Sequence, residues 1–207
     1  MNIQINCHSS IRIEDKKIMY FDPWKITGEP HDADIIFITH THFDHFSPED
    51  IMKICKPDTL LVCPESAAEE ISSAADWNEN NLLTLAPGAN AVIDDITANA
   101  VPAYNIGKAF HKKEYGWCGY VIHAGQSYYV AGDTDATPEL LSVDADVLLL
   151  PTGGKYTMDA SEAAGAVNKM KAKLAIPTHY GDVAGGPDCG KHFAKQVTNG
   201  TRVELIL

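Results

Sequence analysis

The sequence predicts a fold of packed β-sheets flanked by helices, in the α/β or α+β class. Short apolar runs of strand length occur in both halves of the chain, and helix start signals stand between several of them. A hydrophobic fraction of 45% over 207 residues is sufficient for one good core. We therefore expect a single domain over residues 1–207.

Residues 1–131 are rich in predicted strands, whose apolar runs are separated by polar turns. Ser47 and Pro48 indicate a helix start, because Ser is a favoured N-cap and Pro fits the first helical position. A second helix is expected over residues 65–75. The predicted strands cover residues 3–5, 11–13, 18–21, 35–39, 60–63, 82–85, 91–93, 96–101, 118–123 and 127–131.

Residues 147–206 alternate between predicted strands and helices. Asp159 and Glu162 are three residues apart, which is the capping-box spacing at a helix start. The predicted elements are strand 147–150, helix 160–171, strand 174–177, helix 189–198 and strand 203–206.

Composition and charge exclude several classes of protein. The net charge of −12 argues against a nucleic-acid partner, because such partners are bound by neutralising phosphates with Lys and Arg. We expect neither a secretory signal nor a membrane span, since the sequence lacks a basic start before an apolar core and any run of about 18 apolar residues. Five scattered cysteines without a Cys-x-x-Cys pair are typical of reduced thiols in a cytoplasmic protein.

The most informative segment is residues 40–45, HTHFDH, which follows the apolar run at residues 35–38. Imidazole nitrogen together with carboxylate oxygen suits a divalent metal of the zinc type. In an extended segment His40, His42 and Asp44 point to the same side, so one face presents three ligands in series. A turn at the end of the segment then directs its last two ligands toward a second ion.

The pattern His-x-His-x-Asp-His after an apolar strand resembles the signature of the metallo-β-lactamase fold hydrolases. The Gly-Asp-Thr segment at residues 132–134 and the segment at 176–181 resemble later metal-binding segments of that family. Residues 7–10 and 21–24 are similar to N-terminal segments of the branch that holds ascorbate-6-phosphate lactonase-like and related hydrolases. The matches keep the family's order, and the resemblance implies an α+β fold, specifically a four-layer αββα sandwich.

The resemblance also implies one or two metal ions, with Zn²⁺ expected and Mn²⁺ or Fe²⁺ as alternatives. A water between two divalent ions loses its proton near neutral pH, so a metal-bound hydroxide is the expected nucleophile. Asp44 and Asp133 are the expected catalytic carboxylates, and Asp44 would orient the hydroxide if one metal binds. The implied ligands are His40 and His42 for the first metal, Asp44, His45 and His179 for the second, and Asp133 for both.

The third ligand of the first metal departs from the family pattern. The family usually supplies a histidine from a strand end, where this sequence has Asn105. His111 follows six residues later. Either His111 loops back to the metal, Asn105 binds through its side-chain oxygen, or the first site lacks a ligand; we favour His111.

Four more residues have weaker predicted roles near the metals. His8 is expected near the metal site or the substrate, with a buried core histidine as the alternative. Asp22 is expected either to hydrogen-bond a metal-bound histidine or to stabilise the turn before Pro23. Lys112, in a short basic run, is a candidate for binding an anionic substrate, although such runs are usually only solvated. Thr157 is expected to donate a hydrogen bond at the edge of the pocket.

Three functions are compatible with these residues. The leading prediction is a metal-dependent hydrolase of a small ester, lactone or phosphodiester, with a small-molecule substrate. An iron redox enzyme is the second, although relatives of that kind carry Glu where His42 stands and an attached flavin domain. A metal-binding protein without turnover is the third, and it is disfavoured because a purely structural site needs no open water position.

Overall fold

Two β-sheets stacked face to face organise the protein. The computed structural model describes residues 2–75 and 77–207, and within them thirteen strands form one six-stranded and one seven-stranded sheet. In the first sheet, strands 1 to 3 pair antiparallel and strands 3 to 6 pair parallel. Its strands are β1 (Asn2–Cys7), β2 (Ser10–Glu14), β3 (Ile18–Phe21), β4 (Ile35–Phe37), β5 (Leu60–Pro64) and β6 (Leu82–Leu85).

The second sheet has the spatial order 13-12-11-10-9-8-7. Its strands 7 to 10 pair antiparallel and strands 10 to 13 pair parallel. They are β7 (Asn90–Ile93), β8 (Ile96–Pro102), β9 (Cys118–His123), β10 (Ser127–Val130), β11 (Val147–Pro151), β12 (Leu174–Thr178) and β13 (Arg202–Val203).

Helices cover the outer face of each sheet, and none in the described ranges is long and apolar enough to cross a membrane. Two helix starts agree with the sequence: the Ser47 side chain accepts from the Asp50 amide, and Asp159 forms a capping box with Glu162. The α-helices are α1 (Pro48–Ile54), α2 (Ala68–Ala75), α3 (Pro138–Leu141), α4 (Ala160–Val167) and α5 (Cys189–Gln196).

Three apolar clusters hold the layers together. The central cluster joins both sheets and includes Phe37 and Tyr120, whose ring centroids are 5.1 Å apart. Ile36, the neighbour of Phe37, points the other way into a cluster with α1 and α2, as the two-residue period of a strand requires. A third cluster packs α4 and α5 against the second sheet. The αββα sandwich predicted from the sequence is therefore confirmed.

Several predicted bounds differ from the structure. The predicted helix 65–75 begins as a 3-10 turn and is α-helical only from Ala68. The predicted helix 160–171 ends at Val167, where the Asn199 side chain donates hydrogen bonds to the carbonyls of Val167 and Met170. The predicted strand 203–206 is the two-residue β13. Helix α3 was not predicted, although Thr137 followed by a proline is a helix start signal.

Candidate metal centre

Segments that follow five strands meet at one edge of the sandwich and form two groups of possible metal ligands. His8 follows β1, residues 40–45 follow β4, His111 lies in the loop after β8, Asp133 follows β10 and His179 follows β12. Within each group the donor atoms lie within 4.8 Å of one another. The first group is His40, His42, His111 and Asp133, and the second group is His8, Asp44, His45 and His179.

In the first group, three imidazoles converge on one carboxylate. The Nδ1 atom of His42 lies 3.1 Å from Nε2 of His40 and 3.1 Å from Nε2 of His111. Asp133 Oδ2 lies 3.1 Å from His111 Nε2 and 4.0 Å from His40 Nε2. The Trp117 ring covers this group, with centroids 4.7 Å from His40 and 4.9 Å from His42. These atoms form a compact set of three nitrogens and one oxygen.

In the second group, three imidazoles surround Asp44. Its Oδ2 atom lies 3.3 Å from Nε2 of His8, 3.7 Å from Nε2 of His179 and 3.8 Å from Nε2 of His45. The rings of His8 and His179 lie 3.9 Å apart between centroids. The structure therefore places His8 inside this group, closer to Asp44 than either of the two predicted histidine ligands.

Asp133 lies between the two groups. Its Oδ1 atom is 3.2 Å from His45 Nε2 and 3.1 Å from His179 Nε2, while Oδ2 faces His111 of the first group. The residue is only 4% exposed. One carboxylate oxygen is thus directed toward each group, as a shared ligand requires.

Several buried polar atoms of this centre form no hydrogen bond within the described residues, although some of them lie only 3.1–3.3 Å from a facing nitrogen or oxygen. Such atoms are rare in proteins and costly, because they lose their hydration without replacement. A divalent cation binds imidazole nitrogen and carboxylate oxygen, so a metal in the second group would satisfy most of them. These atoms are Nδ1 and Nε2 of His8, Nε2 of His45, Nδ1 and Nε2 of His179, and Oδ1 of Asp133. The donor set fits a metal ion.

Burial and nearby charges shift the pKa values of two side chains, His40 and Asp133, toward the protonation states that bind metal. Burial is the main cause that lowers the pKa of His40 well below its ordinary value, and the charge of the nearby His45 is the second. Burial alone would raise the pKa of Asp133, but the charges of His179 and His45 outweigh it and hold that pKa well below the usual range. A neutral imidazole and an ionised carboxylate are the forms that bind metal.

Asp22 holds His45 in place from behind. Its Oδ2 atom lies 2.7 Å from His45 Nδ1 and accepts a hydrogen bond from the Thr39 hydroxyl, while Oδ1 accepts from the Thr39 amide. Asp22 is fully buried. This contact directs Nε2 of His45 toward the two groups and fixes its tautomer.

The backbone is strained at four residues of the centre, a feature that the sequence did not reveal. The φ angles are 51° at His8, 47° at Asp22, 55° at His111 and 56° at His179. Non-glycine residues rarely adopt this left-handed conformation, which costs on the order of 1–3 kcal/mol and clusters at functional sites. The His179 amide also donates to the His8 carbonyl at 3.0 Å, which joins the loops after β12 and β1.

The two candidates for the third ligand of the first group, His111 and Asn105, have different surroundings. His111 lies inside the group, whereas the Asn105 amide nitrogen donates to the carbonyls of Phe110 and Tyr156 at 3.1 and 2.5 Å. The Asn105 backbone amide also donates to the His111 carbonyl at 2.7 Å. Asn105 thus holds the loop that carries His111.

Two predicted substrate contacts lie away from the cavity above the centre. Lys112 is exposed, and the Thr157 hydroxyl is buried and donates to the Met158 carbonyl at 3.1 Å. The cavity has a volume of about 210 Å³. Sequence reasoning missed the aromatic residues at its mouth, although Phe43 lies within the metal-binding motif itself. The lining residues are His42, Phe43, Asp44, Phe110, His111, Asp133, Tyr156, His179 and Val183.

Known structures with the same architecture share this fold over nearly its whole length. The crystal structure of a provisionally assigned metal-dependent hydrolase of Parabacteroides distasonis has a TM-score of 0.81 and 28% identity, and the match covers 98% of this chain and 91% of that one. A metallo hydrolase of Ignicoccus hospitalis has a TM-score of 0.80 at 22% identity, covering 98% and 93%. At that identity the second likeness shows the fold alone.

Sequence comparisons identify the family. The family model described as a beta-lactamase superfamily domain matches residues 1–180. A UPF0173 metal-dependent hydrolase of Thermoplasma volcanium is 33% identical over 184 residues, which cover 84% of this chain and 80% of that protein. The resemblance seen in the motifs is thereby confirmed, and the chain belongs to the beta-lactamase superfamily, among the UPF0173 metal-dependent hydrolases.

Proposed function

We propose that the protein is a zinc-dependent hydrolase that cleaves a small ester, lactone or phosphodiester. The observation that carries this proposal is the pair of buried donor groups that share Asp133 directly beneath an open cavity. A metal kept only for structure is closed by protein ligands, whereas a catalytic metal keeps a position open to substrate. Five of the donor residues, including Asp44 and Asp133, line the cavity, so the centre is accessible from it.

We assign roles to the individual residues on the basis of their positions. The first group would hold one ion through His40, His42, His111 and one oxygen of Asp133. The second group would hold another ion through Asp44, His45, His179 and the other oxygen of Asp133. We extend the second set by His8, because both of its ring nitrogens are buried without partners and Nε2 faces Asp44.

When bound, such ions supply a Lewis acid for the attacked oxygen and lower the pKa of a coordinated water to about 7. The residues of the chain prepare the centre for this chemistry. Asp22 orients the ring of His45, and Asp133 carries the negative charge shared by both groups. Asp44 lines the cavity, so its carboxylate is positioned to orient the attacking water beside the substrate.

Zinc is our proposed metal because nitrogen ligands dominate the site. The two groups contain six histidines and two aspartates. Imidazole-rich sites favour zinc, whereas Mn²⁺ prefers carboxylate and water ligands. We propose a cytoplasmic location on separate grounds, since the five cysteines, all of which lie in the described ranges, are free thiols.

The test combines metal analysis with an activity screen. The purified protein is expected to contain zinc by elemental analysis and to hydrolyse members of a panel of esters, lactones and phosphodiesters. A strong chelator should abolish that activity, and Zn²⁺ or Mn²⁺ should restore it. Activity that survives complete removal of metal would contradict the proposal.

A further inference from the structure

Exposed aromatic side chains surround the mouth of the cavity. Phe43 is 67% exposed and Phe110 is 49% exposed, which is unusual for large apolar side chains beside a polar centre. Phe43 meets the Trp24 ring edge-on at 5.9 Å, and Phe110 meets the Tyr156 ring edge-on at 5.1 Å. Each exposed ring is therefore supported by a second aromatic ring that limits its motion.

Two basic side chains near the mouth are paired with acidic residues. The Lys108 ammonium contacts Asp135 and the Thr157 carbonyl, and the Lys113 ammonium contacts Glu139. Among the described residues that line the cavity, none is Lys or Arg.

Two further lysines lie on aromatic rings of the same region. The Lys25 ammonium lies 4.0 Å from the Trp24 ring centroid and is paired with Asp182. The Lys155 ammonium lies 4.6 Å from the Tyr156 ring centroid. These contacts place the two cations over ring faces and outside the cavity lining. The cavity lining itself presents mainly apolar surface to a substrate.

We propose that the substrate is an uncharged ester or lactone that carries a flat apolar group, such as an aromatic ring, beside the scissile carbonyl. This inference rests on the proposed hydrolase function and names its substrate class. The carbonyl would lie over the two donor groups, and the flat group would contact Phe43, Phe110, Tyr156 and Val183. Water adds OH to the acyl carbon, the acyl C–O bond breaks, and the released alkoxy oxygen takes the remaining proton.

The physical basis is the burial of apolar surface against fixed rings. Binding a planar ring beside existing rings gains both the apolar burial and the preferred edge-on or offset contacts between aromatic groups. One methylene in an apolar pocket already changes kcat/KM by about 10–200-fold. We therefore expect at least a 10-fold preference for a substrate with a phenyl ring over one without it.

The first experiment compares three methyl esters with the metal-loaded protein. Methyl 3-phenylpropanoate carries the ring, methyl butanoate lacks it, and monomethyl succinate replaces it with a negative charge. The expected order of kcat/KM is phenyl ester first, then the alkyl ester, then the anionic ester. Phe110→Ala and Phe43→Ala should each reduce the ratio of phenyl to alkyl ester toward one, and Phe43→Leu should retain part of it.

A matched control removes an apolar side chain elsewhere. Val92 is 75% exposed on β7 and does not line the cavity, so Val92→Ala should keep the substrate ratio of the native protein. A binding experiment avoids turnover altogether. Calorimetry with 4-phenyl-2-butanone and 2-pentanone, uncharged ketones without a scissile bond, should show tighter binding of the phenyl ketone, and Phe110→Ala should weaken it.

The outcomes distinguish this inference from the function on which it rests. Equal kcat/KM for the phenyl and alkyl esters, or a preference for the anionic ester, with metal-dependent hydrolysis intact would overturn the substrate class and leave the hydrolase standing. No hydrolysis of any panel member by the fully metal-loaded protein would overturn the hydrolase. The two ketones still test the aromatic mouth in that case, because equal binding of both would overturn it independently.

Discussion

The two donor groups have similar ligands but differ in how their polar atoms are satisfied. In the first group, Nδ1 of His42 lies at hydrogen-bond distance from Nε2 of both His40 and His111, and Trp117 covers the rings. In the second group, the facing nitrogens of His8, His45 and His179 are buried and lie 3.1–3.3 Å from carboxylate oxygens, but they form no hydrogen bond within the described residues. The first group is therefore partly satisfied by itself, whereas the second is costly to bury without a cation.

This difference suggests which group depends more on metal. An ion in the second group would remove the desolvation penalty of several buried nitrogens, so its binding energy contributes more directly to folding. Both groups join the two sheets, and in the second group His8 follows β1 of the first sheet and His179 follows β12 of the second. We expect metal in the second group to hold the two sheets together at the site edge.

The largest effect is expected from Asp133→Ala, which removes the ligand shared by both groups. Metal content should fall in both groups together, and activity should fall by more than the roughly 100-fold that follows loss of an outer partner of a metal ligand. Elemental analysis and ester hydrolysis measure the two effects. Asp188→Ala serves as the matched control, because this aspartate is exposed, pairs with Lys191 and does not line the cavity. Full metal content in Asp133→Ala would contradict its shared position.

The next largest effect is expected in the thermal stability that metal adds to variants of the two groups. His179→Ala should reduce the stabilisation gained on adding metal more than His111→Ala does, because the second group contains more unsatisfied atoms. A 10–100-fold loss of metal affinity corresponds to about 1.4–2.7 kcal/mol, or a decrease in Tm of roughly 3–10 °C for a chain of this size. Calorimetric melting with and without Zn²⁺ measures it. A larger decrease for His111→Ala would reverse the comparison.

Asp22→Asn tests the partner that orients His45. The substitution keeps the shape of the side chain but replaces one of two acceptor oxygens, so His45 is held less firmly. We expect metal affinity to weaken by about 10–100-fold, the usual consequence of losing such a partner. Competitive titration against a chelator measures the affinity, with Asp188→Asn as the control. Unchanged affinity would limit Asp22 to supporting the turn.

Asn105→Ala should affect the loop of the first group more than its metal. The substitution leaves the carbonyls of Phe110 and Tyr156 without their donor, which costs about 1–3 kcal/mol in the free energy of unfolding. Metal affinity should fall less than in His111→Ala. Denaturant unfolding and metal titration of both variants separate the two effects. If Asn105→Ala weakens metal binding more than His111→Ala, the side-chain oxygen of Asn105 is the ligand instead.

The smallest effect is expected from Lys112→Glu. Because this side chain is exposed and does not line the cavity, stability should change by no more than about 0.5 kcal/mol. Hydrolysis of neutral and anionic esters should respond alike at low and high salt. A salt-dependent loss confined to the anionic ester would instead support the substrate contact predicted for Lys112 from the sequence, because exposed charges act through screened attraction.

Local sequence patterns determined the layers and the principal motif. The run at residues 35–38 is buried on both faces, with Phe37 in the central core and Ile36 under the helices. A continuous apolar run predicts such a strand, because side chains alternate between its two faces. Residues 40–45 stand immediately after that strand, so their ligands lie at its end whatever the rest of the chain does. The capping box at Asp159 also depends on neighbouring residues alone, so the sequence predicts this helix start as well.

Only the tertiary structure decided which remote residues complete the two groups. His8 and His111 reach the groups through left-handed backbone conformations, which the sequence of a non-glycine residue does not predict. Asn105 stabilises the loop of His111 by donating to carbonyls five and fifty-one residues away in the sequence. The aromatic mouth likewise brings Phe43 and Phe110 to one cavity from separate loops. Spacing along the chain carries no information about such contacts, because they depend on how the two sheets pack and where their loops converge.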